Sequence, residues 1–307
     1  VIIEVLFGTA IILAVLVATY AWRLSQGPVS ASFLLPYASD LLKQENRPFK
    51  VELEGLVLRW AGWNRALDVR ATGLVFRENY AAKPLARVRE MSISLSFRGL
   101  LKGKIAPTSL EIIRPIIRLN RKKNGVFDID MATSEEETSD GTSEKIVQAL
   151  LTFLAAPTKG EEGLEYLDRV SIIGASIRVK DNQIGVSWGA SHADITIKRA
   201  PLGLKVNFTL DATLKNSQPV IEGNVYFNRD IKTISGIVAF EKINTKILSQ
   251  EISHAALLRL IETDLSGKIK FTVDLKGRIK TKEIYLTAGP GHLNIPGNNT
   301  VPINFQQ

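Results

Sequence analysis

The feature that most constrains this chain is a two-residue alternation of apolar and hydrophilic side chains. In residues 268–278, Ile269, Phe271, Val273 and Leu275 alternate with Lys268, Lys270, Thr272, Asp274, Lys276 and Arg278. Met91, Ile93, Leu95 and Phe97 alternate with Ser92, Ser94 and Ser96, and Leu204, Val206, Phe208 and Leu210 with Lys205, Asn207, Thr209 and Asp211. Strand side chains point to opposite faces, so each run builds one apolar and one hydrophilic surface. An antiparallel sheet wet on one face reads this way, whereas a parallel sheet buried on both faces would show unbroken apolar runs. The expected fold class is mainly β, with an elongated antiparallel sheet.

Two early strands change phase at a glycine. In residues 51–58 the apolar parity switches at Gly55, and in residues 67–76 it switches at Gly73. A bulge or sharp bend at each glycine keeps the apolar residues on one side. Further strands are expected at 109–113, 116–121, 126–130, 170–180, 183–188, 193–198, 220–227, 235–240, 283–287 and 292–295, about 15 in all. At about 4.8 Å per neighbour one sheet would be roughly 70 Å across, and open sheets rarely grow so wide without curling. Residues 288–293, with Gly289-Pro290-Gly291, read as a turn before a strand.

Helices are few: residues 33–43 are helical if anything, and apolar stripes are spaced for helices near 144–156 and 244–262. Residues 132–144 form an acidic loop around Glu135, Glu136 and Glu137. The resulting division is an anchor at 1–24, a linker with a short helix at 25–47, a first β unit at 48–131, the acidic loop, and a second β unit at 145–307.

The anchor is expected because residues 5–22 run for 18 positions without a charge. At 1.5 Å rise that length approaches the hydrocarbon thickness of a bilayer. Tyr20, Trp22 and Arg23 stand where an interfacial belt would lie. A cleaved secretory signal is the competing reading, but no small-x-small cleavage site follows. The chain starts at Val1 and stops at Gln307 without terminal punctuation, and is expected to be a piece of a longer protein. Its 307 residues, 45% of them apolar, are enough for a membrane segment with one or two folded units.

The absence of cysteine excludes disulfides, thiolate metal sites and a cysteine nucleophile. A net charge of +8, from 39 basic and 31 acidic residues, reads first as a solvated polar face and second as attraction to an anionic bilayer. The basic residues are spread along strands without interleaved aromatics, so a nucleic-acid partner is not expected. His192, His254 and His292 stand alone, without metal-ligand spacing. No G-x-S-x-G elbow or phosphate loop is present. Asn207-Phe208-Thr209 fits a glycosylation sequon, but inside a strand. Neither an enzyme, a metal nor a cofactor is expected.

An open amphipathic sheet must cover its apolar face with a second sheet, with helices or with something greasy. The helices are too few for a sheet of this width. A sandwich and a curled sheet holding acyl chains both remain open. Each buried CH₂ is worth about 0.8 kcal/mol, so a two-chain lipid would partition strongly onto such a face. The residues expected to line it are Met91, Ile93, Leu95, Phe97, Val206, Phe208, Leu210, Ile269, Phe271 and Val273.

A family pattern runs through the same strands. A membrane segment precedes Val51-Glu52-Leu53-Glu54-Gly55-Leu56 and residues 67–76, from Leu67-Asp68-Val69 to Phe76. Residues 85–95, from Leu85-Ala86-Arg87 to Leu95, then lead into Gly99-Leu100-Leu101-Lys102-Gly103-Lys104-Ile105. Leu110-Glu111-Ile112-Ile113-Arg114-Pro115 and Asn120-Arg121-Lys122-Lys123-Asn124-Gly125 follow. This order resembles the N-terminal unit of the AsmA-like superfamily. Leu265-Ser266-Gly267-Lys268-Ile269, with Ala288-Gly289-Pro290-Gly291, is similar to its large YhdP/TamB-type members.

The acidic stretch near Glu136 departs from that pattern. The resemblance implies a single-pass bacterial inner-membrane protein with its body in the periplasm. It also implies a repeating β-groove that binds phospholipid and bridges toward the outer membrane. A second envelope protein docking at the membrane-proximal end is a further expected partner. The competing expectation is a non-transporting envelope scaffold, and an enzyme on lipid or cell-wall polymer is a third that lacks a polar cluster.

Overall fold

The computed structural model describes residues 7–8, 11–12, 15, 19, 22–23, 26–35, 49–59, 67–78, 84–96, 99, 102, 106–123, 127–132, 166–182, 185–214, 218–246, 249, 260–275, 278–293 and 301–303. They form one curled sheet of 16 strands that does not close. The strands are β1 (Val29–Ser30), β2 (Phe49–Glu52), β3 (Gly55–Arg59), β4 (Leu67–Glu78), β5 (Pro84–Leu95), β6 (Pro107–Ile113), β7 (Ile116–Arg121) and β8 (Phe127–Ala132). They continue as β9 (Arg169–Asp181), β10 (Val186–Ala200), β11 (Gly203–Thr213), β12 (Val220–Asn228), β13 (Thr233–Asn244), β14 (Ile261–Asp274), β15 (Ile279–Leu293) and β16 (Val301–Ile303). The order across the sheet is β1-β3-β4-β5-β6-β9 and then consecutively to β16.

Sequence periodicity and structure differ in one basic respect: the sheet is mixed. All neighbours are antiparallel except that β6 and β7 run parallel to β9. β6 and β7 are one strand interrupted at Arg114-Pro115, where Arg114 has φ 50°. Alternation fixes which side chains share a face but carries no strand direction, so it did not reveal this seam. The seam joins two antiparallel meanders, β1–β8 and β9–β16.

The glycine phase slips are real. Gly73 has φ 62°, a conformation that costs a side-chain-bearing residue about 1–2 kcal/mol. Its neighbour Glu54 breaks β2 from β3 and donates its N–H to Thr72 O at 2.9 Å. Val51, Leu56 and Leu58 consequently share one buried cluster with Ala71, Leu74 and Val88, although their parity changes. The irregularities continue across the sheet through Arg114, Gly174 (φ 63°) and the register shift between Ala190 and Ala193.

Several expected boundaries change. The stretches 183–188 and 193–198 belong to one strand, β10, bent by that shift. The stretch 283–287 and the start of 292–295 belong to β15, and Gly289-Pro290-Gly291 lies within it instead of forming a turn. The register slips between Thr263/Leu265 and their partners, and Thr263 Oγ1 donates to Gly289 O at 2.6 Å. A bulge of this kind accommodates a proline, which has no N–H for the ladder. Asn244 closes β13, and Ile261 and Glu262 open β14, which shortens the expected 244–262 helix from both ends.

Most of that segment, the 144–156 helix and the acidic loop lie outside the described residues. So does most of the 5–22 segment. Among the described residues no helix is long and apolar enough to cross a membrane.

A candidate apolar binding face

Register shows which side chains stand side by side, since partners across a ladder point to the same face. One row runs Leu56, Ala71, Met91, Ile112, Ile172, Ile195, Phe208, Gly223, Val238, Ile269, Ile284. The row crosses 11 strands without a polar residue. A second row runs Val29, Leu58, Val69, Ile93, Leu110, Val170, Ile197, Val206, Val225, Gly236, Phe271 and ends at Lys282. Between them, on the opposite face, stand Arg70, Ser92, Glu111, Ser171, Thr196, Asn207, Asn224, Ile237, Lys270 and Glu283. The sheet is amphipathic across nearly its whole breadth, with Ile237 and Val57, the latter beside Arg70 on β3, as the exceptions in that polar row.

The residues expected from sequence fall into this frame. Met91, Phe208 and Ile269 share the first row, and Ile93, Val206 and Phe271 the second. Leu210 lies in register with Ile221, Phe240, Gly267 and Leu286, and Val273 with Ile234, Phe227 and Leu204. Leu95 stands on the same face of β5 as Ile93, opposite Leu67. Phe97 and Tyr20 lie outside the described residues. Trp22 is largely exposed, and Arg23 follows it six residues before β1 begins at Val29.

Sequence reasoning missed the rest of each row, including Ile112, Ile172, Ile195, Val238 and Ile284. Their alternation was legible, but which residue of one strand stands beside which of the next was not.

Phenylalanine and glycine are paired on this face. Phe208 is opposite Gly223, Phe271 opposite Gly236 and Phe240 opposite Gly267. A Cβ at Gly223 would lie 2.2 Å from Phe208 Cζ, one at Gly236 3.2 Å from Phe271 Cζ, and one at Gly267 2.8 Å from Phe240 Cζ. Each ring lies across the neighbouring strand, in space that a side chain would fill, and does not stand up from the sheet. The result is a low apolar floor.

Burial along the face is uneven. Leu56, Leu58, Ala71, Leu74 and Val88 form one buried cluster, joined by Ala31 and Val51. Ile117, Ala175, Ile177, Ala190, Ala193 and Leu210 form a second, and Leu167, Val170 and Leu204 a third. None of the three draws a residue from β13 to β16. There Val238, Ile269 and Phe271 are half-buried, and Ile284 and Leu286 are exposed. An open hollow of about 720 Å³ lies over β7, β9 and β10, bordered by Leu119, Ile177, Val179, Trp188 and Ala190. A second, of about 410 Å³, is bordered mainly by polar-face residues, among them Lys205, Asn224, Tyr226, Ser235 and Lys270.

Polar chemistry is dispersed. Arg70 pairs with Glu90 at 2.8 Å and Arg114 with the same carboxylate at 3.7 Å. His192 Nε2 lies 3.4 Å from Asp194, whose other oxygen accepts the Gly174 N–H at 2.8 Å. These groups border the irregularities of β5, β6, β9 and β10 and hold the bent strands together. Among the described residues no three His, Asp or Glu side chains are grouped to hold a metal ion. The chain matches no protein-family model, no curated protein and no solved structure.

Proposed function

We propose that this protein binds phospholipid acyl chains on the apolar face of its sheet and conducts them along it. In this reading it is a membrane-anchored, non-catalytic protein of a bacterial envelope, its body in the periplasm, passing lipid from the inner toward the outer membrane. The observation that supports this most is the pair of apolar rows spanning the sheet, the first of which ends on β15 at the exposed Ile284. An acyl chain is recognised by area alone, at about 25 cal/mol per Å² buried, so such a site needs no key residue. The resemblance to AsmA-like proteins and the uncharged 5–22 segment support the location.

The test is native mass spectrometry of the detergent-extracted protein. Wild type should carry phospholipid, whereas a Phe208→Asp, Phe271→Asp double variant should be folded and empty. Full lipid occupancy in that variant would sink the reading.

A second reading is a tethered envelope scaffold that docks partner proteins. The three buried clusters favour it, because over β3 to β5 and β9 to β11 much of the apolar face already packs within the chain. A wild-type protein that co-purifies with a protein partner and no lipid would establish it.

A further inference from the structure

Hairpins of an antiparallel meander open alternately on two rims, so the β10–β11, β12–β13 and β14–β15 turns share one rim. The register row Lys198, Lys205, Tyr226, Ser235, Thr272, Thr281 runs just inside them. The same row continues through Arg169, Ser109, Ser94 and Asp68 to Arg59. The rim is therefore also the one toward which β3 rises. β1 starts there and runs the other way, with Val29 beside Leu58. The chain from the uncharged 5–22 segment thus enters the sheet at this rim.

Each of the three turns presents aliphatic side chains to solvent. Leu202 is 47% exposed, Ile231 66%, Leu275 56% and Ile279 62%. The turns are built firmly around them. Asn228 Oδ1 accepts the N–H groups of Asp230 at 3.0 Å and Ile231 at 3.2 Å. Arg229 N–H donates to Leu202 O at 2.8 Å, tying two turns together. Asp274 accepts from Arg278 through its backbone N–H at 3.0 Å and its Nε at 2.7 Å. The surrounding charge is mostly positive: residues 198–205, 228–233 and 274–280 hold eight basic and two acidic residues.

A single exposed aliphatic residue is ordinary on a protein surface. Aliphatic tips on three consecutive same-rim hairpins, ringed by lysine and arginine, have the chemistry of an interfacial anchor.

We propose that this rim is a second membrane contact, in which Leu202, Ile231 and Leu275 dip into the surface of an anionic bilayer while the neighbouring basic side chains face its headgroups. The contact is separate from the 5–22 segment and from lipid carriage on the apolar face. It would set the sheet's strands upright on the membrane, with both apolar rows running parallel to the bilayer surface and the row through Val206 and Phe271 nearer to it.

The chain contains no cysteine, so an introduced thiol is unique. The experiment places the full chain on vesicles of phosphatidylcholine with one part in three phosphatidylglycerol, carrying a polarity-sensitive fluorophore at Leu202→Cys, Ile231→Cys or Leu275→Cys. Gln218→Cys, in the β11–β12 turn on the opposite rim, is the control. The three tip labels should shift to apolar emission and be quenched by brominated lipid, while the Gln218→Cys label stays aqueous. Adding Lys232→Gln and Lys280→Gln should reduce the tip signal at least twofold. The Phe208→Asp, Phe271→Asp variant should keep it, which separates this contact from lipid carriage. Tip labels as water-exposed as the Gln218→Cys label would overturn the proposal.

Discussion

The first and last thirds of the sheet are written in the same alternation, yet they are covered differently. In β3 to β5 both faces are closed. On the apolar side Leu74 is 2% exposed and Val88 4%. On the polar side Ser92, Ser94 and Asp68 are also buried. The Asp68 carboxylate is tolerable there because Oδ1 accepts both hydroxyls, Ser94's at 3.2 Å. In β15 both faces of residues 279–287 are open, and β14 beside it is mostly half-buried. Ile284 and Leu286 are exposed on one side, and Lys270 reaches Glu283 at 3.3 Å in solvent on the other. An alternating strand thus says which face is apolar, not what lies on it. The first end is packed on both faces, and the other leaves Ile284 and Leu286 exposed.

Substitutions can break this contrast, and the largest effect is expected at the closed end. Leu74→Ala should destabilise by about 2–5 kcal/mol, read as a lowered urea midpoint, because a fully buried side chain leaves a cavity. Asp68→Ala should cost about 1–3 kcal/mol, since it strips Ser92 and Ser94 of a buried acceptor. Gly73→Ala should cost about 1–2 kcal/mol for its left-handed backbone, and it must also displace the Glu54 side chain. At the open end Ile284→Ser should shift the midpoint by less than about 0.5 kcal/mol while lowering the phospholipid recovered with the protein. If Ile284→Ser instead unfolds the protein as Leu74→Ala does, the two ends are equally closed and the contrast fails.

How much of this was written in the sequence can be judged residue by residue. The alternation around Met91, Phe208 and Ile269 was legible because a strand has only two faces, and the structure puts all three in one row. The slips at Gly55 and Gly73 were legible because a bend is the only way to keep Val51, Leu56 and Leu74 together. The parallel seam was not, since β6, β7 and β9 alternate in the same way whichever direction they run. Pro290 was misread as a turn because a proline in a long strand is admitted only by a bulge, and that bulge depends on Thr263 of the neighbouring strand. The Phe–Gly pairs were hidden for a related reason. Gly223, Gly236 and Gly267 look like weak points in their own strands until the ring opposite each is known.

The seam also has a consequence for how the chain assembles. Its pairing, five residues along β6 and six along β7, joins positions about 60 apart in sequence. The hairpins on either side close over short distances, which form quickly, whereas a distant parallel pairing forms late. Until residues 169–181 arrive, the outer edge of β6 and β7 is a bare row of amides and carbonyls, the surface through which partly folded sheets stick to one another. A chain cut off before Arg169 should therefore aggregate, and the intact chain should depend most on a chaperone in the interval between making β8 and docking β9.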